Sequence, residues 1–448
     1  MRAALRKLVP LLPSAGASGD GGLRRFSGAI RHAGWGMGDQ ALSSMSNFGV
    51  SLAAARASTP EEFGAFGIAF ATYLIGIGVA RALVSDVYLV KCSGHGEHES
   101  GGDRYPHARE AWGAALGLAM LGAVACAVAA VLCTGDLRTA LAVVAVGLPI
   151  LVLQDVSRYV MIGQRDAAGA CATDGTWVLA FAIGLAVAYS SAGHFPGATA
   201  CLALWVLGAA CGLVVSFARL RVVPALEAGR RFFATMWEAS ARYFGDWLAT
   251  GASIQVSFYL VGAVMGLTVV GDLRAGVLLL GPLNILTTGA VMLIVPELAR
   301  FRRRTGSALY GPAAALSGLL VAFTIVWLGL VALAPENVLE AVLGETAADA
   351  RSILPAVALF AVLNSAAQGP LVALRATGSI RRGTKANAPA GPVYLVAPAL
   401  LAWIVGTAGG ALLGWTLAAV LAGTLATVQL RRANGERELV TATGVGAV

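Results

Sequence analysis

Polar side chains recur at helical spacing between residues 35 and 56, inside an otherwise apolar part of the chain. Gln40, Ser44 and Asn47 are separated by four and three residues, so on a helix they form one stripe, with Asp39 and Ser43 beside it. Such groups cannot face hydrocarbon without hydrogen-bond partners, because unsatisfied polar groups are costly there. The pattern therefore predicts a stripe that faces protein or a water-filled cavity and can hydrogen-bond a polar ligand.

The second half of the chain repeats this arrangement. Gly245 and Asp246 correspond to Gly38 and Asp39, and Thr250 follows about one helical turn later. We interpret the repeat as two homologous membrane bundles that face each other across a polar cleft. For each aspartate alone the alternative is a helix N-cap, since an acidic side chain near a helix start accepts hydrogen bonds from free backbone N–H groups.

Arg81 is the strongest single candidate for ligand binding. It lies one to two turns inside the cytoplasmic end of the second apolar segment, at a depth similar to that of Asp39. An unpaired guanidinium at that depth is costly, so Arg81 either pairs with Asp39 or binds an anionic ligand. A planar cationic fork suits phosphate. The alternatives are a structural ion pair and extension of the side chain to the lipid headgroups.

Other polar groups fall inside the fourth and eighth apolar segments. Asp155 and Arg158 lie near the end of the fourth, and Asn284 follows a Gly-Pro pair in the eighth. The proline predicts a kink, because it removes a backbone hydrogen bond. Their alternative role is ordinary hydrogen bonding between helices. The predicted substrate-binding residues are Asp39, Gln40, Ser43, Asn47, Arg81, Arg158, Asp246, Thr250 and Asn284.

The composition indicates a polytopic membrane protein. Of 448 residues, 57% are hydrophobic and 12% are charged, about half the charged fraction of a soluble globular protein. The net charge of +8 comes from residues between apolar segments, which argues against nucleic acid as a partner. Six cysteines without CxxC spacing predict free thiols. No nucleotide-binding or hydrolase motif occurs, so we expect no enzyme activity and no cofactor.

A glycine-rich loop around residues 93–107 contains three histidines and several acidic residues. It could be drawn as a metal site, but a solvated loop without an ordering framework is the favoured interpretation. We therefore predict no metal site in the chain.

Twelve apolar segments are long enough to cross a bilayer. Lys and Arg alternate strongly between the connections, which by the positive-inside rule predicts that both termini are cytoplasmic. The predicted spans are 34–55, 64–88, 111–133, 138–159, 173–191, 198–217, 243–266, 273–296, 312–334, 352–374, 389–406 and 409–430.

The predicted fold class is all-α, with about 12 transmembrane helices in two six-helix bundles related by pseudo-two-fold symmetry. A flexible basic cytoplasmic tail (1–31) precedes the N-terminal bundle (32–218). A basic cytoplasmic linker (219–241) leads to the C-terminal bundle (242–431), and a cytoplasmic tail (432–448) follows.

The segment from Trp35 to Val84, with its polar first helix, the Glu62-Phe63-Gly64 start of the second and Arg81 near its inner end, resembles polysaccharide-biosynthesis membrane proteins. These proteins belong to the multidrug, oligosaccharidyl-lipid and polysaccharide (MOP) exporter superfamily. The resemblance implies a flippase of the bacterial cytoplasmic membrane that moves a polyprenyl-diphosphate-linked glycan to the outer leaflet by alternating access. Its implied partners are the lipid-linked glycan, the bilayer, and a glycan polymerase or glycosyltransferases.

The implied mechanism has Arg81 and a basic inner rim receive the diphosphate, while the serine and asparagine stripe binds sugar hydroxyls. The runner-up is a proton- or sodium-coupled exporter of small molecules on the same fold, with Asp39 and Asp246 as coupling carboxylates. A membrane glycosyltransferase is disfavoured because the outer loops are short. A regulatory scaffold that keeps the fold without transport is a further alternative.

Overall fold

The structure is a computed structural model that describes residues 20–92, 105, 107–305, 307–377 and 380–443. Within those residues every regular element is helical. The first half contains α1 Asp20–Arg56, α2 Pro60–Lys91, α3 Ala108–Leu132, α4 Gly135–Gly163, α5 Ala167–Ala192 and α6 Ala198–Leu220. The second half begins with α7 Leu226–Met265, α8 Leu267–Leu279, α9 Gly281–Thr305 and α10 Tyr310–Leu333.

Two short helices, α11 Glu336–Leu343 and α12 Ala347–Ser352, flank a 3₁₀ turn at Gly344–Thr346. The last four helices are α13 Leu354–Ala376, α14 Ile380–Asn387, α15 Ala390–Val405 and α16 Ala408–Thr443. The all-α membrane class predicted from the sequence is confirmed.

Nine described helices are long and apolar enough to cross a membrane, or eleven if two bent pairs each count as one span. The bent pairs are Leu226–Ala249 with Gly251–Met265, and Leu267–Leu279 with Gly281–Gly289. These eleven candidates coincide with eleven of the twelve predicted spans. The remaining predicted span, 34–55, lies within α1, whose mean apolarity is lowered by its polar stripe.

Two element boundaries differ from the sequence expectations. α1 begins at Asp20, so its first turns lie inside the segment assigned to the tail, of which residues 1–19 fall outside the described residues. The linker 219–241 is mostly helical, because α7 starts at Leu226 and the part of it before the bend runs to Ala249. The glycine-rich loop proposed as an alternative metal site lies largely outside the described residues.

The chain forms two compact units, and it passes from one to the other between Leu278 and Leu279; the predicted domain bounds stay a prediction. The N-terminal unit comprises Ala17–Leu278 and Glu336–Ala348, so it holds α1 to α8 together with α11. The C-terminal unit comprises Leu279–Pro335 and Asp349–Val448. In the C-terminal unit a buried cluster that includes Leu298, Leu316 and Leu430 joins α9, α10, α13 and α16. The symmetry between the two predicted bundles stays a prediction.

A glycine contact joins α2 and α8 inside the N-terminal unit. A Cβ atom on Gly64 would overlap the backbone carbonyl of Leu267, and a Cβ atom on Gly271 would overlap that of Pro60. The two glycines are thus reciprocal, each four residues from the carbonyl that meets the other. Small residues at such positions let helix backbones approach closely in membranes. This contact fixes α8 against the start of α2.

Candidate functional site

Five charged side chains meet inside the N-terminal unit, and we call them the inner cluster: Asp39, Arg81, Asp155, Arg158 and Asp174. They come from α1, α2, α4 and α5. On α4 the residues Asp155 and Arg158 are three positions apart and therefore share one face. Four of the five side chains are less than 5% exposed, whereas that of Arg81 is 36% exposed.

Arg158 is the centre of the inner cluster. Its Nη2 donates to Asp39 Oδ2 at 2.6 Å, and its Nε donates to Asp39 Oδ1 at 3.2 Å. Its Nη1 donates to Ser43 Oγ and to Asp155 Oδ1, both at 3.2 Å. Asp174 Oδ2 lies 3.1 Å from Nε. One guanidinium thus connects three carboxylates on three different helices, α1, α4 and α5.

Arg81 is the most exposed member of the inner cluster and pairs with Asp155. Its Nε donates to Asp155 Oδ2 at 2.9 Å and its Nη2 donates to Asp155 Oδ1 at 2.7 Å, a bidentate pair. The guanidinium also lies over the ring of Tyr159, 5.4 Å from its centroid. Arg81 opens a five-residue π-helical turn that ends at Ser85. Such turns are rare and occur frequently at functional sites.

The inner cluster holds three carboxylates and two guanidiniums, so it carries one formal negative charge in excess. Asp174 is the carboxylate whose negative charge is least stabilised by hydrogen bonds. Its Oδ2 makes no hydrogen bond, although it lies near Arg158. Its Oδ1 accepts a bond of 2.7 Å from Gln154 Nε2. Chemically, the cluster can hold four helices together and can attract a cation.

This surplus gives a prediction for Asp174. Replacing it by asparagine removes the excess charge, and the amide oxygen can still accept from Gln154, so stability is expected to stay equal or to rise. Asp39→Asn is the matched change. It removes the negative charge closest to Arg158 and is expected to lower stability. Thermal unfolding of both variants in detergent checks the difference in sign. If both variants lost the same amount of thermal stability, the interpretation that the cluster carries one negative charge in excess would be wrong.

A second buried cation lies elsewhere in the N-terminal unit. Arg274, on α8, is 7% exposed, and its guanidinium carbon lies 4.4 Å from the centroid of Phe70 and 5.9 Å from that of Phe258. Its hydrogen bond to Ser51 is long, with 3.4 Å between Nη2 and the Ser51 Oγ that accepts it. Among the described residues no carboxylate forms an ion pair with it. Two cation–π contacts and one long hydrogen bond hold this charge.

Solved structures of the same architecture cover nearly all of the chain. An inward-facing multidrug resistance MATE family transporter of the MOP superfamily is 16% identical with a TM-score of 0.63, covering 89% of this chain and 95% of its own. The lipid II flippase MurJ, inward closed, is 11% identical with a TM-score of 0.61, covering 94% and 92%. A MOP superfamily transporter from Pyrococcus furiosus is 14% identical with a TM-score of 0.52, covering 92% and 96%. The chain has the MOP transporter fold.

No protein-family model matches the sequence, and no curated protein matches it at a significant level. Identities this low establish the MOP fold alone. The fold that the sequence resemblance implied is therefore confirmed, and the substrate has to be argued from the site.

Within the MOP fold, the structure brings together four of the predicted binding residues. Asp39, Arg81 and Arg158 belong to the inner cluster, and Ser43 accepts a hydrogen bond from Arg158. Arg81 forms a structural ion pair, one of the alternatives given above, but with a different carboxylate from the one suggested by the sequence. Arg81 pairs with Asp155 and not with Asp39, whose partner is Arg158. The N-cap interpretation of Asp39 is wrong, because Asp39 lies in the middle of α1.

The remaining predicted residues are carried by α1, α7 and α9. Gln40 donates to Ser44 at 3.4 Å within α1, and both Gln40 and Asn47 are half-buried. Asp246 is half-buried in the middle of α7, so it is not an N-cap either. The side chain of Thr250 lies outside the described residues. Asn284 is exposed on α9, in the C-terminal unit.

Sequence reasoning missed Asp174 and Arg274. Both looked like residues at the edge of a span, since the fifth span was predicted to start at 173 and the eighth at 273. In the structure α5 starts at Ala167 and α8 at Leu267, so each charge lies about two turns inside its helix. An ionisable residue inside a span indicates function by default, and earlier helix starts would have revealed both.

Proposed function

We propose that this chain is a flippase of the bacterial cytoplasmic membrane that moves a polyprenyl-diphosphate-linked oligosaccharide to the outer leaflet by alternating access. The observation that carries the proposal is Arg274. A fully buried guanidinium without a counter-charge is costly in a membrane interior. That cost is offset if an anion occupies the site during the transport cycle.

A diphosphate suits this position chemically. Its non-bridging oxygens match the planar donors of a guanidinium, which can bind two of them at once. Phe70 and Phe258 hold the guanidinium without consuming its N–H donors, and the long bond to Ser51 is the one donor contact to be exchanged. Arg274 is thus a preorganised cation whose hydrogen-bonding capacity is nearly free.

The sequence-based mechanism assigned the diphosphate to Arg81, and the geometry favours moving that role to Arg274. Arg81 would have to give up both of its bonds to Asp155 before it could bind phosphate. Arg158 is fully committed to Asp39 and its neighbours. In our proposal Arg81 and Arg158 hold the helices in place, while Gln40 and Asn47, which are half-buried on α1, supply hydrogen bonds to the glycan.

The structural neighbours are compatible with more than one substrate. They include a multidrug resistance transporter and a lipid II flippase. For the Pyrococcus furiosus transporter, reversed polarity of the binding pocket is stated to suggest a different function. Charges within the site therefore carry more weight than the fold in the choice of substrate.

Arg274→Gln tests the proposal. Purified protein is reconstituted into liposomes with a fluorescent polyprenyl-diphosphate oligosaccharide, and leaflet-specific quenching gives the rate of movement. We expect wild-type protein to move the lipid and Arg274→Gln to slow it at least tenfold, because the neutral amide cannot bind the diphosphate as an ion pair. Arg274→Lys, which keeps charge but loses the fork, is expected to be intermediate.

The matched control is Arg138→Gln, the same change at an exposed arginine on α4. Its transport rate should equal that of the wild type. Movement of the lipid that is independent of Arg274, with all variants folded, would refute the role of this residue. Absence of movement in the wild type would refute the flippase itself.

A second candidate, a proton- or sodium-coupled exporter of small molecules, is favoured by one observation. The inner cluster has a carboxylate in excess, and Asp174 is the member with a free oxygen. In that case a cation gradient drives efflux of a cationic dye from the same liposomes, Asp174→Asn abolishes the efflux and Arg274→Gln leaves it unchanged. The two candidates thus predict opposite sensitivities for the two variants.

A further inference from the structure

A polar pocket lies at the end of the N-terminal unit where α1 ends and α2 begins. Its cavity volume is about 470 Å³, within the usual range for small-ligand sites. The connection between α1 and α2, the connection between α5 and α6, and the 3₁₀ turn after α11 form its walls. By the predicted topology these connections face away from the cytoplasm. The lining residues are Arg56, Ala57, Ser58, Thr59, Glu62, Tyr189, His194, Phe195 and Glu345.

Three local structures set the shape of the pocket. A capping box at the start of α2 fixes Thr59 and Glu62, because the Thr59 N–H donates to Glu62 Oε2 at 3.0 Å and the Glu62 N–H donates to Thr59 Oγ1 at 3.3 Å. The Arg56 guanidinium lies over Phe195, 4.7 Å from the ring centroid. Gly344 has a left-handed φ of 62°, and a Cβ there would overlap the carbonyl of Arg56. This close approach holds the neighbouring Glu345 at the pocket.

The pocket contains an unused hydrogen-bonding group. Ser58 is 4% exposed, and its hydroxyl has no hydrogen-bond partner. A buried hydroxyl without a partner costs about 1–3 kcal/mol. A ligand that supplies the missing partner would remove that cost. Ser58 lines the cavity, and a rotation about its Cα–Cβ bond is the change that would turn this hydroxyl toward a polar ligand.

The chemistry of the lining selects the class of ligand. Glu62 and Glu345 outnumber the single arginine, which disfavours an anion, and the polar walls disfavour a lipid chain. Carboxylates, a guanidinium, hydroxyls and an imidazole together provide both donors and acceptors. Tyr189 and Phe195, with ring centroids 5.1 Å apart, add apolar faces. This combination matches a sugar ring, which has hydroxyls around its edge and apolar C–H faces.

We propose that this pocket binds one or two sugar units of a glycan on the outer side of the membrane. The proposal deepens the flippase function, since the bound sugars would be those of the transported lipid-linked glycan. It is tested without transport, so the two proposals fail separately.

The test applies the full chain in detergent to an array of free oligosaccharides of two to six sugars, both neutral and uronic-acid-containing, followed by calorimetric titration of the best binder. We expect micromolar to millimolar binding. Tyr189→Ala and Glu345→Gln should each weaken it at least tenfold. Glu340→Gln, a matched change on α11 outside the pocket, should leave it unchanged.

Ser58→Ala separates binding from structure. Loss of an unsatisfied hydroxyl should leave the unfolding temperature equal or raise it, while the affinity for the sugar falls three- to tenfold. Arg274→Gln should bind the free sugar as wild type does, whatever its effect on transport. Failure of every oligosaccharide to bind, or binding that is insensitive to Tyr189, Glu345 and Ser58, would overturn the proposal.

Discussion

Replacing Arg158 by methionine is expected to lower the free energy of unfolding by about 3–5 kcal/mol, the cost of breaking a buried ion pair. The change leaves Asp39 and Asp174 buried without a cation, while Asp155 keeps Arg81. Methionine retains most of the side-chain volume, so the effect measures charge and hydrogen bonding and not a cavity. Loss of thermal stability in detergent, together with a lower yield of monodisperse protein, is the measurement.

Two comparisons make this expectation specific. Arg138→Met is the same change at an exposed position and should leave the unfolding temperature unchanged. Arg81→Met should cost less than Arg158→Met, since Arg81 is 36% exposed and has one carboxylate partner. If Arg81→Met lowered the unfolding temperature more than Arg158→Met, Arg158 would not be the centre of the inner cluster.

The second large effect is expected at Gly271, where even alanine should destabilise the N-terminal unit strongly. The added Cβ meets the carbonyl of Pro60, which is backbone and cannot rotate away, so α8 has to separate from α2. Overpacking in a tight core typically costs about 1–3 kcal/mol and sometimes more. We expect a clear fall in unfolding temperature.

Gly318→Ala is the control for this helix substitution. Gly318 lies within α10, and a Cβ there has nothing within 4 Å. Alanine is a better helix former than glycine, so stability should be unchanged or rise slightly. If Gly271→Ala behaved like Gly318→Ala, the close contact of α2 and α8 would be refuted.

The sequence predicted the architecture better than the site because the two depend on different information. Apolar length is a local property, and it located the eleven candidate spans that the described residues contain, while the polar span 34–55 falls inside α1. The partners of Arg81 and Asp39 are non-local. Each arginine had more than one carboxylate at a similar depth, and helix rotation, which periodicity does not fix, decides between Asp39 and Asp155 for Arg81.

Arg274 illustrates a second limit. In the sequence analysis Arg274 lay at the edge of a predicted span and counted as a topology signal. The helix starts six residues earlier than predicted, so Arg274 lies inside it and is buried. Arg274 is notable because no carboxylate among the described residues pairs with it. The sequence contains no pattern from which the lack of such a partner could be predicted. The polar pocket could not be predicted from the sequence either. Its walls come from residues 56–62, 189–195 and 345, which are far apart in the chain.

The π-helical turn at Arg81–Ser85 has a consequence for the tolerated length of α2. A π turn accommodates one residue more than the α-helix needs, so the segment could lose a residue and remain a continuous helix. The parts of α2 on either side of the deletion would keep nearly the same register, because the extra residue is taken up inside the turn. A residue deleted from a regular α-helix would instead rotate one part by about 100° and shift it by about 1.5 Å relative to the other. Arg81–Ser85 is therefore the place where α2 can change length with the least disturbance to its ends.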